Sequence, residues 1–302
     1  MNVVYSFIGT LPAYSVETVY QLRLFYTGPV YFIVDHHESP YIPELEGLGV
    51  KIVNYEKVID FEFLTLYGSN IDKFLKVPVL KERSLLFMRS FERFFLLKNL
   101  MVLEGLTDIL FLELDNLVYD DPTKWLVAFQ KSDMAYMFDN YDRASSGLSY
   151  VKNTDILSLF TQASSEFIQS STEFMSEMTV LYRFYEAEKS RVQLLPIFWT
   201  DPKVPVQAYE NSENYSGIFD AAAIGIYIGG MDTALTRGKV IPKAKMRFSH
   251  LDYSPYEMVF KEECGLRIPY ILNNECNSWI RINNLHLHSK VFTQHLSKPM
   301  LE

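Results

Sequence analysis

Apolar positions in the first 130 residues follow two rhythms. VVYSFI (3 to 8), PVYFIVD (29 to 35) and KIVNY (51 to 55) are short, β-branched and aromatic, bounded by Gly, Pro and Asp, and predict strands. From about Ala13 to Phe25 the period lengthens, and Val16, Val19, Tyr20 and Leu24 fall on one side of a predicted helix. A second helix is predicted over 81 to 105, ended by Gly105 and apolar around most of its circumference, so it should lie buried against a sheet. DILFLEL (108 to 114) is unbroken in its hydrophobicity, as a central parallel strand is. Asp121 and Pro122 then supply an N-cap acid and a first-turn proline for a helix through about Lys131. Strand and helix alternate, which predicts βαβ units and a mostly parallel sheet flanked by helices.

The second half is mixed. MAYMF (134 to 138), GLSYVKN (147 to 153) and VQLLPIF (192 to 198) predict strands; TDILSLFTQASSEFIQ and MSEMTVLYRFYEAEK predict helices. Residues 199 to 217, rich in Pro, Asn, Asp, Tyr and Trp, predict a long loop serving as lid or binding surface. With no repeat and no linker, the chain is expected to be one domain over 1 to 302, with a ligand-binding half at 1 to 131 and a mixed half at 132 to 302.

Composition narrows the function classes. At 302 residues and 48% hydrophobic the chain can bury a large core, so disorder is excluded. A net charge of -9 with no basic block argues against nucleic acid. Cys264 and Cys276 are too few for a disulfide framework and match no zinc spacing, so both are expected reduced. No stretch reaches the roughly 18 to 20 apolar residues of a membrane span, and the N-terminus lacks a basic leader. The expectation is a soluble cytoplasmic protein, at most peripheral to a membrane.

One stretch raises a chemical question. FLELDNLVYDD (111 to 121) places Glu113 and Asp115 one residue apart at the end of the most apolar strand. Strand geometry puts both carboxylates on one face, and the C-terminal edge of a parallel sheet is where open α/β folds bind ligands. Two like charges there call for a cation; Mg²⁺ and Mn²⁺ take carboxylate oxygens, often with substrate phosphates completing the shell.

The surrounding residues RFFLLKNLMVLEGLTDILFLELDNLVYDDPTKWL (93 to 126) resemble the region around the D-x-D motif of GT-A glycosyltransferases, especially the glycogenin and lipopolysaccharide galactosyltransferase type, with Glu113 in place of the first Asp. SSGLSYVKNTDIL (145 to 157) is similar to the family's N-S-G-x-x-x-x-N segment, where a small-residue turn faces the sugar; Ser145 replaces the usual Asn. NNLHLHSK (283 to 290) resembles its late histidine and lysine segment without the full spacing, and FDAAAIGIYIGGMD (219 to 232) resembles the acceptor side of bacterial and viral surface-glycan transferases.

The resemblance implies a GT-A type, Rossmann-like α/β fold with a mixed C-terminal acceptor-side region. The implied activity is metal-dependent transfer of a sugar from a UDP- or GDP-sugar donor to a glycan acceptor, in surface polysaccharide or glycoprotein glycan synthesis. Glu113, Asp115 and His288, with His286 as the alternative histidine, would hold Mn²⁺ or Mg²⁺. Lys290 and Arg93 would serve the diphosphate or hold the acidic motif, and Thr10 and Asp35, after the first two strands, would line the nucleoside pocket. Asp220 is the first choice of catalytic base and Glu177 the second; Trp199, Tyr209 and Tyr215 are candidates for stacking on sugar rings. A rival reading is a non-catalytic nucleotide- or sugar-binding module of the same fold. A phosphotransferase or phosphatase with an aspartyl nucleophile is weaker, because it needs Asp at position 113.

Overall fold

The computed structural model of the protein describes residues 1 to 36, 38 to 75, 84 to 140, 142 to 172, 176 to 198, 205 to 230, 256 to 274 and 276 to 300. The expected alternation is present: β1 (Asn2–Phe7), α1 (Tyr14–Arg23), β2 (Val30–Val34), α2 (Ile42–Gly47), β3 (Val50–Asn54), α3 (Phe61–Leu75), α4 (Ser84–Glu104) and β4 (Ile109–Leu112). After β5 (Asn116–Val118), Asp121 accepts a hydrogen bond from the Thr123 N–H at 2.9 Å and starts a 3₁₀ turn (Pro122–Trp125) that runs into the single turn α5 (Leu126–Phe129). The second half supplies β6 (Met134–Asn140), β7 (Arg143–Val151), α6 (Thr154–Ser170), α7 (Glu177–Ala187), β8 (Val192–Leu195) and α8 (Ala223–Gly229). It ends with β9 (Met258–Glu263), β10 (Leu266–Asn273), β11 (Ser278–Arg281) and β12 (Asn284–His286).

The central sheet has seven strands in the order β3-β2-β1-β4-β7-β6-β8. β3, β2, β1 and β4 pair in parallel, β7 runs against its neighbours β4 and β6, and β8 is parallel to β6. All strands except β7 therefore point their C-terminal ends to one edge. β4 pairs with β1 on one side and β7 on the other, and its four residues are all buried, which is why its sequence carries no polar position. A three-stranded sheet of β9 to β11 and a β5–β12 pair make up the rest.

Two expectations are corrected here. β4 stops at Leu112, so Glu113 and Asp115 lie in the turn that follows and owe nothing to strand alternation. That turn is held by the Asn116 N–H on the Glu113 carbonyl at 3.0 Å and by the Glu113 N–H on the Gly147 carbonyl at 2.8 Å. β7 begins at Arg143, four residues before the expected start at 147, so Ser145 and Ser146 belong to the strand and not to a turn before it.

The apolar residues form two clusters. The larger fills the space between the seven-stranded sheet and its helices. The smaller gathers Leu117, Ile218, Ile224, Ile268, Leu285, Leu287 and Phe292 beneath the β5–β12 pair and the chain's last turns.

Candidate active site

α1 and the strand edge hold the acidic turn from below. Buried Thr18 donates its hydroxyl to the Leu114 carbonyl at 2.6 Å, and Gln21 donates to the Val118 carbonyl at 2.8 Å. From above comes β12, whose antiparallel pairing sets Asn284 opposite Val118 and His286 opposite Asn116, and the Leu287 N–H bonds to the Asp115 carbonyl at 2.7 Å. Residues 175 apart in sequence thus meet: Lys290 Nζ pairs with Asp115 Oδ2.

His286 lies between both acids. Its Nε2 is 3.1 Å from Asp115 Oδ1 and 3.2 Å from Glu113 Oε2. Its Nδ1 is 3.2 Å from the Ala221 carbonyl, an acceptor only, which makes Nδ1 the protonated nitrogen and leaves Nε2 to face the acids. Space for the ring is reserved by Gly147, where an added Cβ would stand 2.8 Å from Asn116 Nδ2 and 2.9 Å from His286 Cε1. His288, two residues on and on the same side, stacks edge-on against it with ring centroids 4.7 Å apart. Burial works against charge on His286, but the Asp115 carboxylate outweighs it and raises the imidazole's pKa. Burial and the neighbouring His286 push His288 down to about 3, so it is neutral with a free lone pair. Burial would raise the Asp115 carboxyl, yet His286 and Lys290 together hold it well below the usual range.

Donor atoms of Asp115, His286 and His288 lie within 4.8 Å of one another, as the ligands of one cation do. One carboxylate with two imidazoles, one of them oriented by a backbone carbonyl, is a donor set that fits a divalent ion. Both candidate histidines therefore belong to the group. Glu113 does not; it is paired with Arg93 Nη1.

Arg93 projects from α4 into the core, held by Glu113, by Ser146 Oγ at 2.8 Å and by Glu177 Oε1 at 3.0 Å. Burial lowers its pKa against the pull of Glu177 and Asp115. Glu177, in the first turn of α7, is equally buried; desolvation raises its carboxyl and Arg93 opposes that rise. Glu177, the second choice of base, thus lies in a buried salt bridge with Arg93.

Asp220, the first choice of base, lies just before α8. Its carboxylate accepts from the N–H groups of Ala222, Ile224, Gly225 and His286, at 2.8 to 3.0 Å. Burial pushes this carboxyl up while those donors favour its ionised form. All of its acceptor capacity is spent on capping α8 and fixing the His286 backbone, so it is a positioning residue.

Past the ends of β1 and β2, Asp35 Oδ1 accepts the Gly9 N–H at 2.9 Å, tying the two strand ends together beside exposed Thr10. Tyr215 is fully buried against Phe129 and Phe219, where it cannot stack on a sugar. Tyr209 is 39% exposed, and Trp199 lies outside the described residues.

Asp139 was missed by the sequence reading. It ends β6 at the same edge, accepts from Asn140 Nδ2 at 2.9 Å and pairs with Arg143 at 3.2 Å. Burial raises its carboxyl to about 6 despite Arg143. The signal was present in MAYMFDN, an apolar run closing on an acid as FLELD does, and it was lost by ending the strand at residue 138.

Comparison of the sequence with known protein families and with characterised proteins finds no match. Among solved structures the chain is similar to mouse xyloside xylosyltransferase 1 in its apo form, at 9% identity over 65% of this chain and 86% of that one, with a TM-score of 0.44. It is similar to the galactosyltransferase LgtC in complex with donor and acceptor sugar analogues, at 12% identity over 81% and 85%, TM-score 0.44. The apo glycosyltransferase GlyE of Streptococcus pneumoniae matches at 14% identity over 64% of this chain and 44% of its own, TM-score 0.40. These similar structures are glycosyltransferases. Among the described residues no helix is long and apolar enough to cross a membrane.

Proposed function

We propose that the protein is a metal-dependent glycosyltransferase that moves a sugar from a UDP- or GDP-sugar to a glycan acceptor. The observation that carries this is the meeting of Asp115, His286, His288 and Lys290 at the C-terminal edge of a mostly parallel sheet. Asp115, His286 and His288 would hold the divalent ion, with Mn²⁺ favoured over Mg²⁺ by the two imidazoles. When bound, that ion supplies positive charge against which the diphosphate leaving group develops its negative charge. Lys290, half-exposed and within reach of Asp115, offers a second positive charge to phosphate oxygens. Thr10 and Asp35 stand where the nucleoside would be read, three and one residues past the ends of β1 and β2. Asp139, buried at this edge with its carboxyl raised to about 6, takes the role first given to Asp220, accepting a proton from the acceptor hydroxyl.

Calorimetric titration of UDP and GDP into the protein, with Mn²⁺ or with EDTA, tests the reading on wild type and Asp115→Asn. One nucleotide should bind only with metal, and the variant should lose it. Binding of neither nucleotide in either condition overturns the proposal. Glu at position 113, locked to Arg93, favours one second reading, a module that binds the nucleotide sugar without turning it over. That module would bind in the same titration yet release no diphosphate on prolonged incubation with donor and acceptor.

A further inference from the structure

We infer that Glu113 is a positioning residue, which sets His286 in the metal group through a buried Arg93–Glu177 anchor, and is not itself a ligand. The inference rests on the metal-site reading above. Glu113 Oε1 is taken by Arg93, and Arg93 is fixed on the far side by Ser146 of β7 and Glu177 of α7. The acid is thereby tethered to three elements of the main core. Its second oxygen, Oε2, is 3.2 Å from His286 Nε2, so the same carboxylate sets the imidazole from the side opposite the Ala221 carbonyl.

Three observations exclude Glu113 from the coordination shell. The mutually close donor atoms are those of Asp115, His286 and His288 alone among the described residues. Arg93 is buried and its Nε has no partner among the described residues, so withdrawing Glu113 toward a cation would cost Nη1 its carboxylate and leave the guanidinium only Glu177 and Ser146. A carboxylate neutralised by such a guanidinium is also a weaker donor to a metal than Asp115, whose second oxygen meets a half-exposed lysine. The glutamate length matters on this account: an aspartate on the same backbone would fall one methylene short of spanning Arg93 and His286.

The experiment is Mn²⁺ titration of the full chain, read by the electron paramagnetic resonance signal of free Mn²⁺, on wild type, Glu113→Gln, Glu113→Asp and His286→Ala, and on Glu113→Gln combined with His286→Ala. If Glu113 acts through His286, Glu113→Gln weakens Mn²⁺ binding by about 10- to 100-fold in the wild-type background, as loss of an outer partner does. The same change has an effect of less than about threefold when His286 is already gone. Glu113→Asp should behave like Glu113→Gln. Because either change leaves Arg93 held by Glu177 and Ser146 alone, Glu113→Gln with Arg93→Met and Glu177→Gln serves as the variant that removes the buried charges together, and its affinity should match that of Glu113→Gln. An equal loss in both backgrounds, or wild-type affinity in Glu113→Asp, makes Glu113 a ligand and overturns the inference. Wild type that binds no Mn²⁺ overturns the metal-site reading first, and is distinguished because every variant is then equally silent.

Discussion

At the scale of single residues, the site is governed by which cation each acid already holds. Lys290 adopts φ +59°, a left-handed conformation that costs a side-chain-bearing residue energy, and its ammonium lies on Asp115 Oδ2. On the proposed reading a metal drawing on the Asp115 carboxylate competes with that ammonium, which when freed would be available to a diphosphate. Lys290→Met should therefore bind Mn²⁺ alone about tenfold more tightly, and UDP or GDP in the presence of Mn²⁺ about tenfold more weakly, a reciprocal split that calorimetry reads directly. Unchanged Mn²⁺ affinity would remove the competition. Asp139 makes a second prediction. Its folded carboxyl titrates at about 6 against an ordinary 3.8, so folding favours the protonated form. Stability from this group is full below pH 3.8 and is lost as pH rises through 6, a difference of about 3 kcal/mol. The charged groups acting on it are Arg143 and His286, which favour ionisation, and Asp220, which opposes it. Asp139→Asn, which cannot ionise, should match wild type near pH 4 and exceed it by about 2 kcal/mol at pH 7.5 in urea unfolding, the Arg143 contact offsetting part of the gain. The same variant should lose most of its turnover.

At the scale of elements, the short β5–β12 pair decides whether there is a site at all. The chain declares its long elements openly: α4 and β4 are legible because unbroken apolar runs bounded by Gly105 and the acids leave little choice. β5 and β12 are three residues each and were not legible, since their stability comes from partners far away in sequence. Asn284 donates to Asn116 Oδ1 at 2.6 Å and to the Asp220 carbonyl at 3.0 Å, and Asn116 donates to the Gly147 carbonyl at 2.9 Å. The acids Glu113 and Asp115 were found for a partly mistaken reason, since the turn and not a strand face brings them together. Asp220 was singled out for its place before a small-residue helix, and one sequence cannot show that four backbone donors converge on it. Asp220→Asn keeps the shape but presents N–H₂ to at least one N–H donor, and should cost about 3 kcal/mol in urea unfolding. The loss should be accompanied by weaker Mn²⁺ binding, since the His286 N–H is among the donors released. Unaltered stability would mean that the α8 start does not depend on this carboxylate.

At the scale of the whole molecule, the candidate site lies on the seam between the two apolar clusters, and each contributes part of the proposed ligand set. Asp115 follows β4 of the seven-stranded sheet, whereas His286 and His288 flank Leu287, which is fully buried in the smaller cluster with Leu285. The backbone of the two histidines thus depends on how well the smaller cluster packs, while Glu113 and Gly147 confine the His286 ring from the main core. This separates two substitutions of equal chemistry. Leu157→Ala, in α6 and fully buried in the main core, and Leu285→Ala, between Asn284 and His286, should each cost about 2 to 5 kcal/mol of stability by leaving a cavity. Under conditions where both variants remain folded, the first should bind Mn²⁺ as wild type does, because its cavity is remote from the seam and close-packed neighbours confine the strain. The second should bind it at least tenfold more weakly, because a cavity beneath β12 lets His286 and His288 shift by a fraction of an ångström from the geometry a metal requires. Equal Mn²⁺ affinity in the two variants would mean that the ligands are held by the β5–β12 hydrogen bonds alone, and that the smaller cluster only fills space beneath them.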